Sequence, residues 1–171
     1  MKFELIYSFI LINLVVVAFY DLKTRKIKNV WSILNLFFGI LFLVFQRPMY
    51  ELSFQHFYYP IIFFLITFFL FWMKIMGAGD SKYLTTFFFL IPTKQHEYFL
   101  FYLLLTTCVI GLIFLFVNII KRRKMIFQEI MTGKLKSVYF QLGTKIPYAP
   151  VAFIAWIWLG IEYFKIYEKI G

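Results

Sequence analysis

Long apolar runs recur along the chain, separated by short polar breaks. They fall near residues 3–20, 30–46, 57–76, 82–92, 98–120 and 147–165. An α-helix crosses a hydrocarbon core with roughly 17 to 25 residues, so five of the runs are long enough to span a bilayer. The fourth is short: from residue 82 to the break at Ile91 and Pro92 it reaches about 16 Å at 1.5 Å per residue. It is nevertheless counted as a spanning helix, tilted or supported by its neighbours. Without it, the fifth run would deliver a strongly basic segment to the wrong side of the membrane. The expected fold is therefore an all-α polytopic membrane protein of about six transmembrane helices.

Orientation follows from Lys and Arg, which stay in cytoplasmic loops. Three inner segments, about 21–29, 77–82 and 121–146 with the helix ends beside them, hold 13 of the 18 basic residues. The outer connections and both termini hold Lys2, Arg47, Lys94, Lys165 and Lys169, offset by Glu4, Glu51, Glu97, Glu162 and Glu168. The net charge of +10 thus belongs to one face, and both termini are expected outside. Membrane orientation explains this charge, so no nucleic-acid partner is inferred.

Composition agrees with the pattern. Of 171 residues, 63% are hydrophobic and only 15% charged, too apolar for a water-soluble domain. Residues 3–20 lack a small-x-small cleavage site and run directly into Asp21 and a basic stretch, so they read as a retained first span. One integral membrane domain over residues 1–171 accounts for the whole sequence. Within 121–146, Ile126, Phe127, Ile130, Met131, Leu135 and Val138 recur at spacings near three and four. That suits a helix lying in the inner interface against lipid.

Candidate chemistry rests on acids at the membrane edge, where an ionisable group is expensive. Asp21 ends the first span, at the negative end of its helix dipole, where structure alone does not ask for a carboxylate. Pairing with Arg25 one turn later is its ordinary explanation. Asp80 lies in Gly77-Ala78-Gly79-Asp80-Ser81-Lys82. There the glycines allow a tight turn and close backbone approach, and an ordinary helix-capping role for the aspartate is equally natural. The span count places both acids at the inner boundary. Two carboxylates sharing one proton are what an aspartyl peptidase needs: one activates water while the other donates to the scissile carbonyl.

Asp21-Leu22-Lys23-Thr24-Arg25-Lys26-Ile27-Lys28-Asn29 resembles the D-x-x-x-R-x-I-P-N segment of type IV prepilin peptidases, and Gly77 to Lys82 resembles their GxGDxK motif. Lys145-Ile146-Pro147-Tyr148-Ala149-Pro150 is similar to the proline-containing start of their last helix. The resemblance implies an aspartic-type endopeptidase that cleaves the basic leader of prepilins or pilin-like proteins at the cytoplasmic face of a bacterial or archaeal inner membrane. It implies Asp21 and Asp80 as catalytic residues, with Arg25, Ile27, Asn29, Gly77, Gly79, Lys82, Pro147 and Pro150 in supporting positions. No metal or organic cofactor is implied, and the expected partners are the prepilin substrate and membrane lipids. Lys28 stands where the family has proline, leaving Asn29 as the expected cap of the second helix. The chain resembles a short peptidase form without the cysteine-bearing domain or methyltransferase region of larger members.

Two other readings compete. A presenilin-like GxGD protease is echoed by Tyr20-Asp21 and by Pro147 to Pro150, but its acidic helices are neighbours in sequence, whereas here two spans intervene. A small transporter or non-catalytic pilus-assembly component would place its acids at the midplane of broken helices or internal repeats, and neither is evident. Cys108 is expected to be a small packing residue. His56 and His96 are expected to be ordinary polar residues of outer connections.

Overall fold

The computed structural model of the chain describes residues 3–46, 49–50, 54–73, 76–131 and 147–170. Among these, the regular structure is entirely helical: α1 (Phe3–Thr24), α2 (Asn29–Phe45), α3 (Phe54–Trp72), α4 (Ala78–Phe87), a 3-10 turn (Thr93–Gln95), α5 (His96–Met131) and α6 (Tyr148–Ile170). Phe3–Thr24 and Thr93–Arg123 are each long and apolar enough to cross a membrane, while Asn29–Phe45 and His56–Trp72 are apolar but shorter.

The helices pack as two trios. α6 lies between α1 and α5, α4 lies between α2 and α3, and contact between α4 and α6 joins the two groups. In α1, Phe3, Ile6, Ile10, Leu14, Val17 and Asp21 are buried, an inward stripe at helical spacing. The intervening Leu5, Ile12, Val15 and Phe19 face outward. The stripe that carries the hydrophobic core of α1 therefore ends in a carboxylate. α6 answers with Ala149, Ala152, Ala155 and Trp156, mostly small residues that let two helix backbones approach closely. Near the far end of this interface the Tyr7 ring stacks on Trp156 at 5.3 Å, and the Trp156 indole N–H donates to the Tyr7 carbonyl at 3.3 Å.

α4 accounts for the anomalous fourth run. It has only 10 residues, about 15 Å of helix, and Tyr83, Leu84, Phe87, Phe88, Leu90 and Ile91 around its second half are all but inaccessible. A helix that stops inside an apolar core leaves carbonyls without partners. Here the His96 Nε2–H is shared between the carbonyls of Phe88 and Ile91, each at 3.0 Å, and the Tyr50 hydroxyl donates to the carbonyl of Leu90. His56 lies beside them, with Nδ1 3.1 Å from the Thr93 hydroxyl.

The two histidines thus correct the sequence expectation. Both are fully buried; His56 lies within α3 and His96 opens α5, because these helices begin a few residues earlier than hydropathy placed them. Cys108 is also corrected: it is exposed on α5 rather than packed. α5 continues unbroken through Met131, so residues 121–131 extend the fifth helix instead of starting a new one. The side chains of 124–130 and the whole of 132–146, which carry most of the expected interfacial face and the basic Lys134, Lys136 and Lys145, lie outside the described residues.

Candidate active site

The loop between α1 and α2 sets the first half of the site. α1 ends at Thr24, and the next residue, Arg25, adopts a left-handed backbone with φ 51° and donates its N–H to the Asp21 carbonyl at 2.7 Å. A side-chain-bearing residue pays for that conformation with steric strain. The Thr24 hydroxyl reaches back to the Tyr20 carbonyl and forward to that of Lys26, tying the turn down. Lys28 then caps α2 with φ −73° and ψ 146° and makes no side-chain capping bond, so Asn29 is the first helical residue rather than the cap. The φ of Lys28 lies in the range a proline ring enforces; this chain keeps the loop geometry without the ring. The Lys28 ammonium lies over the Tyr20 ring, 5.3 Å from its centroid.

Asp21 is 2% exposed. Its Oδ2 accepts a hydrogen bond from the backbone N–H of Ala149 at 3.4 Å. The donor belongs to the first turn of α6, whose unpaired N–H groups and dipole favour a carboxylate. The unfavourable position of Asp21 at the end of α1 is thereby offset by the beginning of another helix. Among the described residues, this backbone donor, and not an ion pair with Arg25, is the partner of the carboxylate.

The second half is the turn into α4. Gly77 is the N-cap with extended backbone, and Asp80 is the third helical residue rather than the cap. The Asp80 Oδ2 accepts the Gly77 N–H at 3.3 Å, one arm of a capping box. Both glycines are required by space. A Cβ at Gly77 would lie 2.8 Å from Asp80 Oδ2, and one at Gly79 would lie 2.6 Å from the Ile27 carbonyl oxygen. The first glycine makes room for the carboxylate. The second lets the start of α4 press against the α1–α2 loop.

These segments enclose one open cavity of about 550 Å³, lined by Asp21, Arg25, Lys26, Ile27, Gly77, Ala78, Gly79, Asp80 and Pro147. The two aspartates, 59 positions apart in sequence, thus share a wall, with Asp21 buried and Asp80 partly open to solvent. Pro147 joins them. Pro150 sits one turn into α6, partly buried and off the cavity wall. Lys82 and Asn29 face a neighbouring groove instead. Sequence reading did not anticipate Ala149, whose contribution is a backbone N–H with no side-chain signature, nor Tyr148, which is buried beside the cavity within electrostatic reach of Asp80. No grouping of three or more His, Cys, Asp or Glu side chains suited to a metal occurs among the described residues.

The sequence profile of the type IV leader peptidase family matches residues 8–116, more than half of the chain. The chain belongs to this family of membrane peptidases, and its apolar helices fit that setting. The match contains the Asp21 to Asn29 and Gly77 to Lys82 segments and ends before Pro147. Comparison with curated proteins and with solved structures gave no significant match.

Proposed function

We propose that the chain is an aspartic-type endopeptidase that removes the basic leader of type IV prepilins or pilin-like proteins at the cytoplasmic face of a bacterial or archaeal inner membrane. In this reading one domain crosses the bilayer with six helices, both termini lie outside, and the aspartate cavity opens inward. The observation that carries the proposal is the cavity that Asp21 and Asp80 line together in a chain of the leader peptidase family.

The chemistry requires water, a base and an acid. With one proton shared between the two carboxyl groups, the ionised aspartate takes a proton from water as its oxygen attacks the scissile carbonyl carbon. The protonated aspartate donates to the carbonyl oxygen. Collapse of the tetrahedral species then breaks the C–N bond, and the proton first taken from water passes to the departing amine. The Ala149 N–H holds Asp21, and the Gly77 N–H holds Asp80. Ile27, Gly79 and Pro147 shape the wall. Arg25 and Lys26 bring positive charge to the cavity wall, where negative charge develops on the carbonyl oxygen before the aspartate proton reaches it. No cofactor is called for.

The test is incubation of membranes containing this chain with a prepilin that retains its leader, with the products identified by mass. A single cut between the basic leader and the hydrophobic helix is expected. Persistent lack of any cut across prepilins from the same cell would sink the proposal.

A further inference from the structure

Beside the aspartate cavity, a second hollow of about 310 Å³ opens between α2, α3 and α4. From α2 it is lined by Ser32, Ile33 and Leu36, from α4 by Thr85 and Thr86, and from α3 by Phe64. Asn29 and Lys82 stand at one end. On α4, Lys82 follows Ala78 of the aspartate cavity's wall by one helical turn on the same face, and Asn29 is two residues past Ile27 of that wall, so the groove and the cavity adjoin at this end. Its α2 wall, from Asn29 to Leu36, is two helical turns long, about 10 Å.

The groove is mostly apolar, but it carries a stripe of hydroxyls. The Thr85 hydroxyl donates to the Ser81 carbonyl at 2.9 Å and lies 3.4 Å from the Thr67 hydroxyl, and that of Thr86 donates to the Lys82 carbonyl at 3.0 Å, so each oxygen keeps a lone pair with which to accept. Ser32 is 7% exposed and its Oγ has no hydrogen-bond partner. A hydroxyl shut away from water without a partner is costly, more so at membrane depth. A lipid chain in the groove offers it nothing. A helix bearing a small or polar residue supplies both close packing and a hydrogen bond, the combination by which helices associate in membranes.

We propose that this groove seats the first turns of the substrate's own membrane helix, the segment just past the scissile bond, with a small, hydroxyl or amide side chain set against Ser32, Thr85 and Thr86. This inference rests on the leader peptidase reading. Continuity with the aspartate cavity singles out that occupant: a helix emerging from a peptide bond held at Asp21 and Asp80 enters the groove at its Asn29–Lys82 end. A second copy of this chain has no reason to begin there.

The experiment uses the full chain in membranes with a prepilin. A photoreactive benzoylphenylalanine replaces Ile33 in the groove or, as a control, Ile161 on the exposed side of α6. Adducts from position 33 that map to the substrate's hydrophobic helix, with none from position 161, are expected. Filling the groove by Ser32→Leu or Thr86→Leu should lower kcat/KM about tenfold, chiefly through KM. Adducts from position 33 only to lipid or to another copy of the chain, or unchanged kcat/KM in both leucine variants, would overturn the inference while leaving the peptidase activity standing. Should a leucine variant fail to insert, the cross-link decides. Absence of cleavage by the unaltered chain removes the activity itself, and the groove's role with it.

Discussion

The Asp21 carboxylate at the end of α1 accepts a hydrogen bond from the backbone N–H of Ala149, 128 positions later at the start of α6. One helix delivers the acid and another supplies the electrostatic setting that lets it sit buried. Asp80 is treated alike, at the N-terminal turn of α4 with the Gly77 N–H on its Oδ2. Both carboxylates are therefore held by the positive ends of helices, and both helix starts are fixed by packing against the α1–α2 region.

The two motif glycines should fail in different ways. Gly79→Ala drives a methyl group into the Ile27 carbonyl and should destabilise the fold by about 1–3 kcal/mol, read as a lower unfolding midpoint in detergent. Gly77→Ala crowds the Asp80 carboxylate instead. It should leave the midpoint nearly unchanged and cut processing about a hundredfold, the scale on which small misplacements of a reacting group act. Equal effects of both changes on stability and on processing would contradict this division.

Arg25 holds a left-handed backbone that a glycine adopts without strain. Arg25→Gly should stabilise the chain by about 1 kcal/mol yet slow prepilin processing about tenfold by removing a cation from the cavity wall. Thermal unfolding and cleavage rates, measured on one preparation, test the trade-off. A variant that is both more stable and fully active would show that the guanidinium has no part in the reaction.

Lys28→Pro places the ring where the backbone already has φ −73°. The unfolded chain loses freedom and the folded loop is not strained, so the midpoint should rise by about 1–4 °C with processing retained. A drop in the midpoint would mean that the loop needs the Lys28 N–H or its contact with Tyr20.

His96→Leu removes the donor that serves two buried carbonyls at the end of α4. The expected loss is about 2–4 kcal/mol, seen as reduced thermal stability, whereas Lys94→Ala, at an exposed neighbour, should change little. Similar behaviour of the two variants would show that the end of α4 is satisfied in some other way.

The reach of the sequence is instructive at particular residues. Helix starts came through to within about four residues because apolar runs are written in plain hydropathy, though the fifth helix continues to Met131, past its expected end; Asp21 and Asp80 stood out because charge at the end of a long apolar run is rare. The inward stripe of α1 did not come through: Leu5, Ile12 and Phe19, which face outward, are as apolar as Ile6, Ile10 and Leu14. In such a helix, hydropathy marks no inside. His56 and His96 were misplaced for a related reason. Their task is to satisfy carbonyls and a hydroxyl on other segments, and that need appears only once α4 is seen to stop short. The hold of Ala149 on Asp21 is made through the backbone, so no residue type announces it.

The most direct test of the account is cleavage of a matched prepilin in membranes by the unaltered chain, Asp21→Asn and Asp80→Asn, with insertion verified for each. Asparagine keeps the shape and removes the proton chemistry, so both variants should lose processing by about 10³-fold or more. Processing that survives at near-normal rates in either variant would contradict a paired-aspartate mechanism.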